Sequence, residues 1–95
     1  MPSVAQRRLA RLLGYGPQET LTSDELGHAA DRERIRLATE LVREALASDD
    51  VTSADAARLF VEERLAEWSD LLADDTRRAI GQTANEEIQR RAPDA

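Results

Sequence analysis

The sequence predicts an all-α fold, a small helical bundle. Apolar residues recur at the spacing of a helical face along most of the chain, and helix-capping patterns precede several of these stretches. The apolar residues are mostly Leu, Ala, Val and Ile, with only 3% aromatic residues, and this set fills helix interfaces. We expect 95 residues to form one bundle built on an antiparallel two-helix hairpin, at about Ser23–Ser48 and Ser53–Ala73.

A short basic helix comes first. Ser3 is placed to cap its N-terminus and Gly14 to end it, because glycine adopts the left-handed conformation that many helix ends require. One face is apolar and the other carries arginines: Ala5, Leu9, Leu12 and Leu13 against Arg7, Arg8 and Arg11. Pro17, at the end of the segment Tyr15–Pro17, prevents the helix from continuing because proline lacks a backbone N–H. We therefore expect residues 1–18 to be a basic amphipathic arm with a Gly/Pro hinge, separable from an acidic helical domain at residues 19–95.

Charge divides the chain in the same place. Residues 1–18 contain three Arg and no acidic residue, whereas the rest contains ten Arg against nineteen Asp and Glu. The net charge of −6 is therefore the sum of +3 on a basic arm and −9 on an acidic body. Such asymmetry predicts that the arm docks on an acidic surface.

The second helix is predicted from a capping box. Thr22 and Glu25 have the required spacing, and Leu21 with Leu26 forms a hydrophobic staple around them. The helix should begin at Ser23, or nearer Ala29 because Gly27 weakens the first turn. Its apolar stripe comprises Leu26, Ala30, Leu37, Ala38, Leu41, Val42, Ala45 and Leu46.

The third helix pairs with the second. Thr52 with Asp55 has capping spacing, and the short turn at residues 48–50 requires the two helices to be antiparallel. Its apolar face comprises Ala57, Phe60, Val61, Leu65, Trp68, Leu71 and Leu72.

The last helix is weakly apolar. Asp74 and Asp75 can cap a helix at residues 76–91, whose only regularly spaced apolar residues are Ile80, Ala84 and Ile88. We expect it to pack lightly on the hairpin or to be completed by another chain. No strong breaker precedes it, so it can also continue the third helix.

Composition disfavours an enzyme. The chain has no Cys, no Lys and one His, and no phosphate-binding glycine pattern, so we expect no catalytic residues and no cofactor. No apolar run approaches the roughly 18 residues that span a bilayer. We expect a cytoplasmic protein, or part of a particle assembled in the cytoplasm, without membrane contact.

One alternative is a carboxylate metal site. Glu25 and His28 have the Glu-x-x-His spacing of ferritin-like metal proteins, which puts both side chains on one helical face. Glu25 is also the capping-box partner of Thr22, however, and a solvated His28 is the simpler interpretation. We therefore assign no metal ligand.

The residues that best suit a function are those of a protein interface. We expect the arm leucines to anchor it on an acidic neighbour, the arginines to set the register, and an acidic patch on the third helix to receive them. The predicted partner-binding residues are Arg7, Arg8, Leu9, Arg11, Leu12, Leu13, Tyr15, Glu62, Glu63 and Glu67.

The predicted function is a non-enzymatic structural or adaptor subunit. It would form a homo-oligomer or dock into a larger complex, and viral connectors or capsid-associated proteins are one setting for parts of this size and character. An antitoxin-like or nucleic-acid-binding regulator that uses the Arg-rich arm is the alternative. Three arginines opposed by an acidic body disfavour nucleic acid, so we expect a protein partner.

Overall fold

The computed structural model describes residues 3–16, 19 and 21–91. Those residues form five α-helices and no strand. The helices are α1 (Val4–Leu12), α2 (Ser23–Arg32), α3 (Arg34–Ala47), α4 (Ala54–Glu67) and α5 (Asp74–Arg91). The predicted all-α helical bundle is confirmed. In the part of the chain that is described, no helix is long and apolar enough to cross a membrane.

The core lies between α3, α4 and α5. The most extensive packing is that of α5 on α3, followed by α5 on α4 and then by α3 on α4, the predicted hairpin. The thin apolar stripe of α5 is fully buried, so this helix does not pack lightly. Its residues Ile80, Ala84 and Ile88 are inaccessible to solvent. The other fully buried large side chains are Leu9, Leu26, Leu37, Leu41, Val42, Val61 and Trp68.

The local helix-start patterns are largely confirmed. Thr22 and Glu25 form both hydrogen bonds of the capping box, at 2.9 and 3.1 Å, and α2 begins at Ser23. Ser3 caps α1 and forms a second box with Gln6. Thr52 is wrong as the cap of α4, because the Ser53 hydroxyl accepts the Ala56 amide at 3.1 Å instead.

Two predicted helix boundaries are corrected. The second predicted helix is divided at Glu33, which leaves the helical region with φ −112° and ψ 34°. No Gly or Pro marks this bend in the sequence. Tertiary hydrogen bonds flank it, from Thr76 Oγ1 to the Asp31 carboxylate at 3.2 Å and from Arg36 to the Leu13 carbonyl at 3.3 Å. The third predicted helix ends at Glu67, and the last begins at Asp74, two residues before its predicted start, so Asp74 and Asp75 lie in its first turn and α4 and α5 are separate helices.

Candidate functional site

The arm helix α1 lies against its own chain, where it contacts α2 and α3. Leu9 and Leu13 are 0% and 3% exposed, and Leu12 is half-buried. Leu9 and Leu13 are therefore core residues of their own chain in this structure, and their predicted role as anchors for a partner stays a prediction. The sequence pattern identifies the apolar face, but the surface that covers it is set by the tertiary fold. The division of the chain after residue 18 stays a prediction.

Four polar contacts hold α1 in place, and one of them is the hydrogen bond that Gln6 Nε2 donates to the Ser23 hydroxyl of α2 at 3.0 Å. The Trp68 indole Nε1–H donates to the Ala5 carbonyl at 3.0 Å. Arg8 Nη1 lies 2.5 and 2.8 Å from the two carboxylate oxygens of Glu67. At the other end of α1, Arg36 donates to the Leu13 carbonyl at 3.3 Å, where a cation is favourable at a helix C-terminus.

Gly14 ends the helix as predicted. Its φ of +94° allows the Tyr15 amide to donate to the Ala10 carbonyl and the Gly14 amide to donate to the Arg11 carbonyl, each at 3.0 Å. These two bonds form a Schellman motif. The motif turns the chain away from the helix axis at Tyr15.

The outward face of α1 carries Arg7 and Arg11, which are exposed and one helical turn apart. Neither has a carboxylate within 4.0 Å among the described residues. Nine of the thirteen arginines do, namely Arg8, Arg36, Arg43, Arg58, Arg64, Arg77, Arg78, Arg90 and Arg91. The positive charge of this face is therefore available for intermolecular contact.

A cleft of about 590 Å³ lies between α1 and the described residues Tyr15, Gly16, Glu19, Leu21 and Leu26. We call it the cationic cleft. Arg7, Arg8 and Arg11 line it. The remaining lining residues are Val4, Gln6, Ala10, Tyr15, Gly16, Glu19, Leu21 and Leu26. Val4, which the sequence patterns did not single out, is 61% exposed. The cleft thus combines apolar wall residues with three arginines, of which Arg8 is paired with Glu67, and one carboxylate, that of Glu19, so its net charge is positive.

The acidic patch of α4 is divided by the fold. Glu67 binds Arg8 and also lies 3.3 Å from Arg64 Nη1, whereas Glu62 and Glu63 are exposed and have no ion-pair partner within the described part of the chain. One turn earlier, Leu59 is 55% exposed. Leu59, Glu62, Glu63 and the exposed Ala66 follow i, i+3, i+4, i+7 spacing and therefore share one side of α4. We call these four residues the acidic ridge.

The geometry around Glu25 and His28 is that of a helix cap. Both side chains are exposed, and the Glu25 carboxylate accepts the Thr22 amide at 2.9 Å. This backbone hydrogen bond, together with the hydrogen bond to the Thr22 side chain, lowers the pKa of the Glu25 carboxyl. Among the described residues no group of three or more His, Cys, Asp or Glu is placed to hold a metal ion. The capping interpretation is the one the contacts support.

Two chemically opposite surfaces therefore face solvent, the cationic cleft beside α1 and the acidic ridge on α4. The cleft has two exposed arginines, Arg7 and Arg11, without an ion-pair partner among the described residues, and the ridge has two such glutamates. Each surface also has an exposed apolar side chain, Val4 in the cleft and Leu59 on the ridge. Such surfaces are suited to binding a partner of opposite charge. Comparisons with protein-family models, with curated proteins and with solved structures found no match.

Proposed function

We propose that this chain is a non-enzymatic structural or adaptor subunit that binds an acidic protein surface through the cationic cleft. The observation that carries the proposal is the pair Arg7 and Arg11, exposed one turn apart and lacking carboxylate partners in the described residues. Like charges at this spacing destabilise an isolated helix by about 0.2–0.5 kcal/mol. Carboxylates of a partner would remove that repulsion and form charge-assisted hydrogen bonds with both guanidinium groups.

The lining of the cleft favours protein over nucleic acid. Val4, Ala10 and Leu21 offer apolar surface that a partner side chain would cover. A duplex would meet only a few exposed arginines on a chain whose net charge is −6, so counterion release would supply little affinity. The alternative, a regulator that binds nucleic acid, depends on the same arginines and is tested with the same variants.

The arm takes part in assembly as a helix that is already docked on its own chain. Leu9 and Leu13 hold α1 on its own chain. The partner therefore meets Arg7 and Arg11 on an α1 that is already in position, and Tyr15 beside them in the cleft. A subunit of this kind serves in a homo-oligomer or in a larger complex, including a particle assembled in the cytoplasm.

The test compares two double charge reversals by fluorescence anisotropy. The probes are labelled poly-L-glutamate and a labelled 20-base-pair DNA duplex, each titrated at low and high salt. We expect wild type to bind poly-L-glutamate and Arg7→Glu/Arg11→Glu to bind it about tenfold or more weakly, which corresponds to about 1.4 kcal/mol. High salt should weaken wild-type binding because the contacts are exposed charges.

A matched control separates the cleft from net charge. Arg32→Glu/Arg78→Glu makes the same change in charge at two exposed arginines that do not line the cleft. We expect this variant to bind poly-L-glutamate nearly as well as wild type. Equal losses in the two variants would contradict the proposal, and preferential binding of the duplex would favour the nucleic-acid regulator.

A further inference from the structure

We infer that the occupant of the cationic cleft is the acidic ridge of a second copy of this chain. The inference rests on the proposed function and specifies its partner. The ridge residues Leu59, Glu62, Glu63 and Ala66 would lie along the cleft, so that α4 of one copy packs beside α1 of the next. Charge, apolar exposure and the contacts within one chain each support this arrangement.

The unpartnered charges are complementary in sign and number. Arg7 and Arg11 are separated by one helical turn. Glu62 and Glu63 lie three and four residues after Leu59, so their carboxylates lie at the two edges of the side of α4 that carries Leu59. All four charged side chains are exposed, and none has an ion-pair partner among the described residues. Each copy therefore carries both halves of a set of ion pairs that it does not complete internally.

The apolar residues are complementary as well. Val4 and Leu59 are two of the three large apolar side chains most exposed among the described residues, at 61% and 55%. Val4 lines the cleft, and Leu59 precedes the ridge carboxylates by one turn. Docking would place both out of water, and removing apolar surface from water contributes about 25 cal/mol per Å². Ile35, the third such residue, lies on α3 and has no part in the contact.

Contacts within the chain leave the ridge accessible. The end of α4 holds its own α1 through Glu67 and Trp68, which bind Arg8 and Ala5. Glu62 and Glu63 do not take part in that attachment. Because the cleft and the ridge are different surfaces, docking one on the other is a heterologous contact, which generates rings or filaments. Because few groups take part in this contact, the interface is small, and we expect the association to be weak and sensitive to salt.

Reciprocal charge reversal tests the inference by light scattering over about 10 µM to 1 mM protein at low and high salt. We expect the mass of wild type to rise with concentration and to fall with salt. Arg7→Glu/Arg11→Glu and Glu62→Arg/Glu63→Arg should each have a lower mass than wild type. An equimolar mixture of the two should regain mass, because the reversed ridge fits the reversed cleft and the two unreversed surfaces also fit each other.

Two further variants separate the effect of the ridge from that of net charge and test the role of the exposed apolar side chain. Asp49→Arg/Asp50→Arg reverses two adjacent exposed acids outside the ridge, and we expect it to assemble as wild type does. Leu59→Ser removes the exposed apolar side chain without changing charge, and we expect weaker association. Circular dichroism and thermal unfolding of every variant verify that the bundle is intact.

The outcomes separate this inference from the proposed function. A monomeric wild type at every concentration, normal assembly of Glu62→Arg/Glu63→Arg, or a mixture that regains no mass would each overturn the inference. If Arg7→Glu/Arg11→Glu still loses poly-L-glutamate binding in those cases, the cleft remains a docking site for another acidic protein. If that variant binds poly-L-glutamate as wild type does, the proposed function fails too.

Discussion

Trp68 donates its indole N–H to the Ala5 carbonyl at 3.0 Å, and this bond attaches the first turn of α1 to the end of α4. The neighbouring Glu67 binds Arg8, which is three residues from Ala5. Two consecutive residues thus hold two positions about one turn apart on α1, which restricts both its position and its rotation. That rotation places Leu9 in the core and leaves Arg7 and Arg11 exposed.

Replacing the only Trp tests the first of these contacts. Trp68→Phe keeps most of the buried apolar surface but removes the N–H donor and leaves a small cavity. We expect the free energy of unfolding to fall by about 1–3 kcal/mol. Trp68→Ala should cost more, about 3–5 kcal/mol, because the cavity is larger. Urea unfolding followed by circular dichroism measures both variants, and an unchanged midpoint for Trp68→Phe would contradict the role given to the bond.

The ion pair beside it should stabilise the chain far less. The side chains of Arg8 and Glu67 are 24% and 36% exposed, so solvent screens their interaction. A double-mutant cycle with Arg8→Ala and Glu67→Gln should give a coupling of about 0.2–1 kcal/mol that decreases in 1 M NaCl. A coupling above about 2 kcal/mol, or one insensitive to salt, would show that the pair is more buried than the structure indicates.

The capping patterns were predictable from the sequence because they depend on residues only three positions apart. The side chains of Thr22 and Glu25 each accept a hydrogen bond from the backbone amide of the other residue, and these bonds do not depend on the rest of the fold. The same logic failed at Thr52 only because the next residue, Ser53, is an equally good cap. The all-α class was predictable for a related reason, since helical periodicity is a local property.

The tertiary features were not predictable in the same way. The bend at Glu33 has no local breaker, and it lies between hydrogen bonds to residues 13 and 76. The sequence indicated that an arginine of the arm meets an acidic residue of the third helix. It did not indicate that Arg8 and Glu67 meet within one chain, because periodicity carries no information on which surface covers a face. Val4 and Leu59 were missed for the same reason.

The capping box should make stability depend on pH at acid values. The pKa of the Glu25 carboxyl is lowered in the folded chain, chiefly by the hydrogen bond from the Thr22 amide. The charged carboxylate therefore stabilises the fold above the unfolded pKa of about 4.3, and this contribution is lost as pH falls through the lower folded value. Glu25→Gln retains an acceptor but does not titrate.

We expect the stability difference between wild type and Glu25→Gln to be constant from pH 6 to 7 and to shift against wild type below about pH 4.3. Urea unfolding of both proteins at several pH values measures it. Thr22→Val removes the hydroxyl and should reduce the pH dependence while leaving the backbone donor. A stability difference that does not change with pH would contradict the assigned hydrogen bond.

Two helical glycines should respond oppositely to alanine. A Cβ on Gly27 would lie 2.9 Å from the Leu71 carbonyl oxygen. This oxygen belongs to the backbone and cannot move away by a side-chain rotation. Glycine is therefore required where α2 crosses the turn after α4. A Cβ on Gly81 would lie 3.6 Å from Leu65 Cδ1, an ordinary contact. Alanine favours a helix by about 1 kcal/mol over glycine, so Gly81→Ala should stabilise the chain by up to about that amount. Gly27→Ala should destabilise it by about 1–2 kcal/mol, because overpacking outweighs the same gain. Thermal and urea unfolding compare the two variants directly, and equal stabilisation by both would show that α2 and Leu71 do not approach this closely in solution.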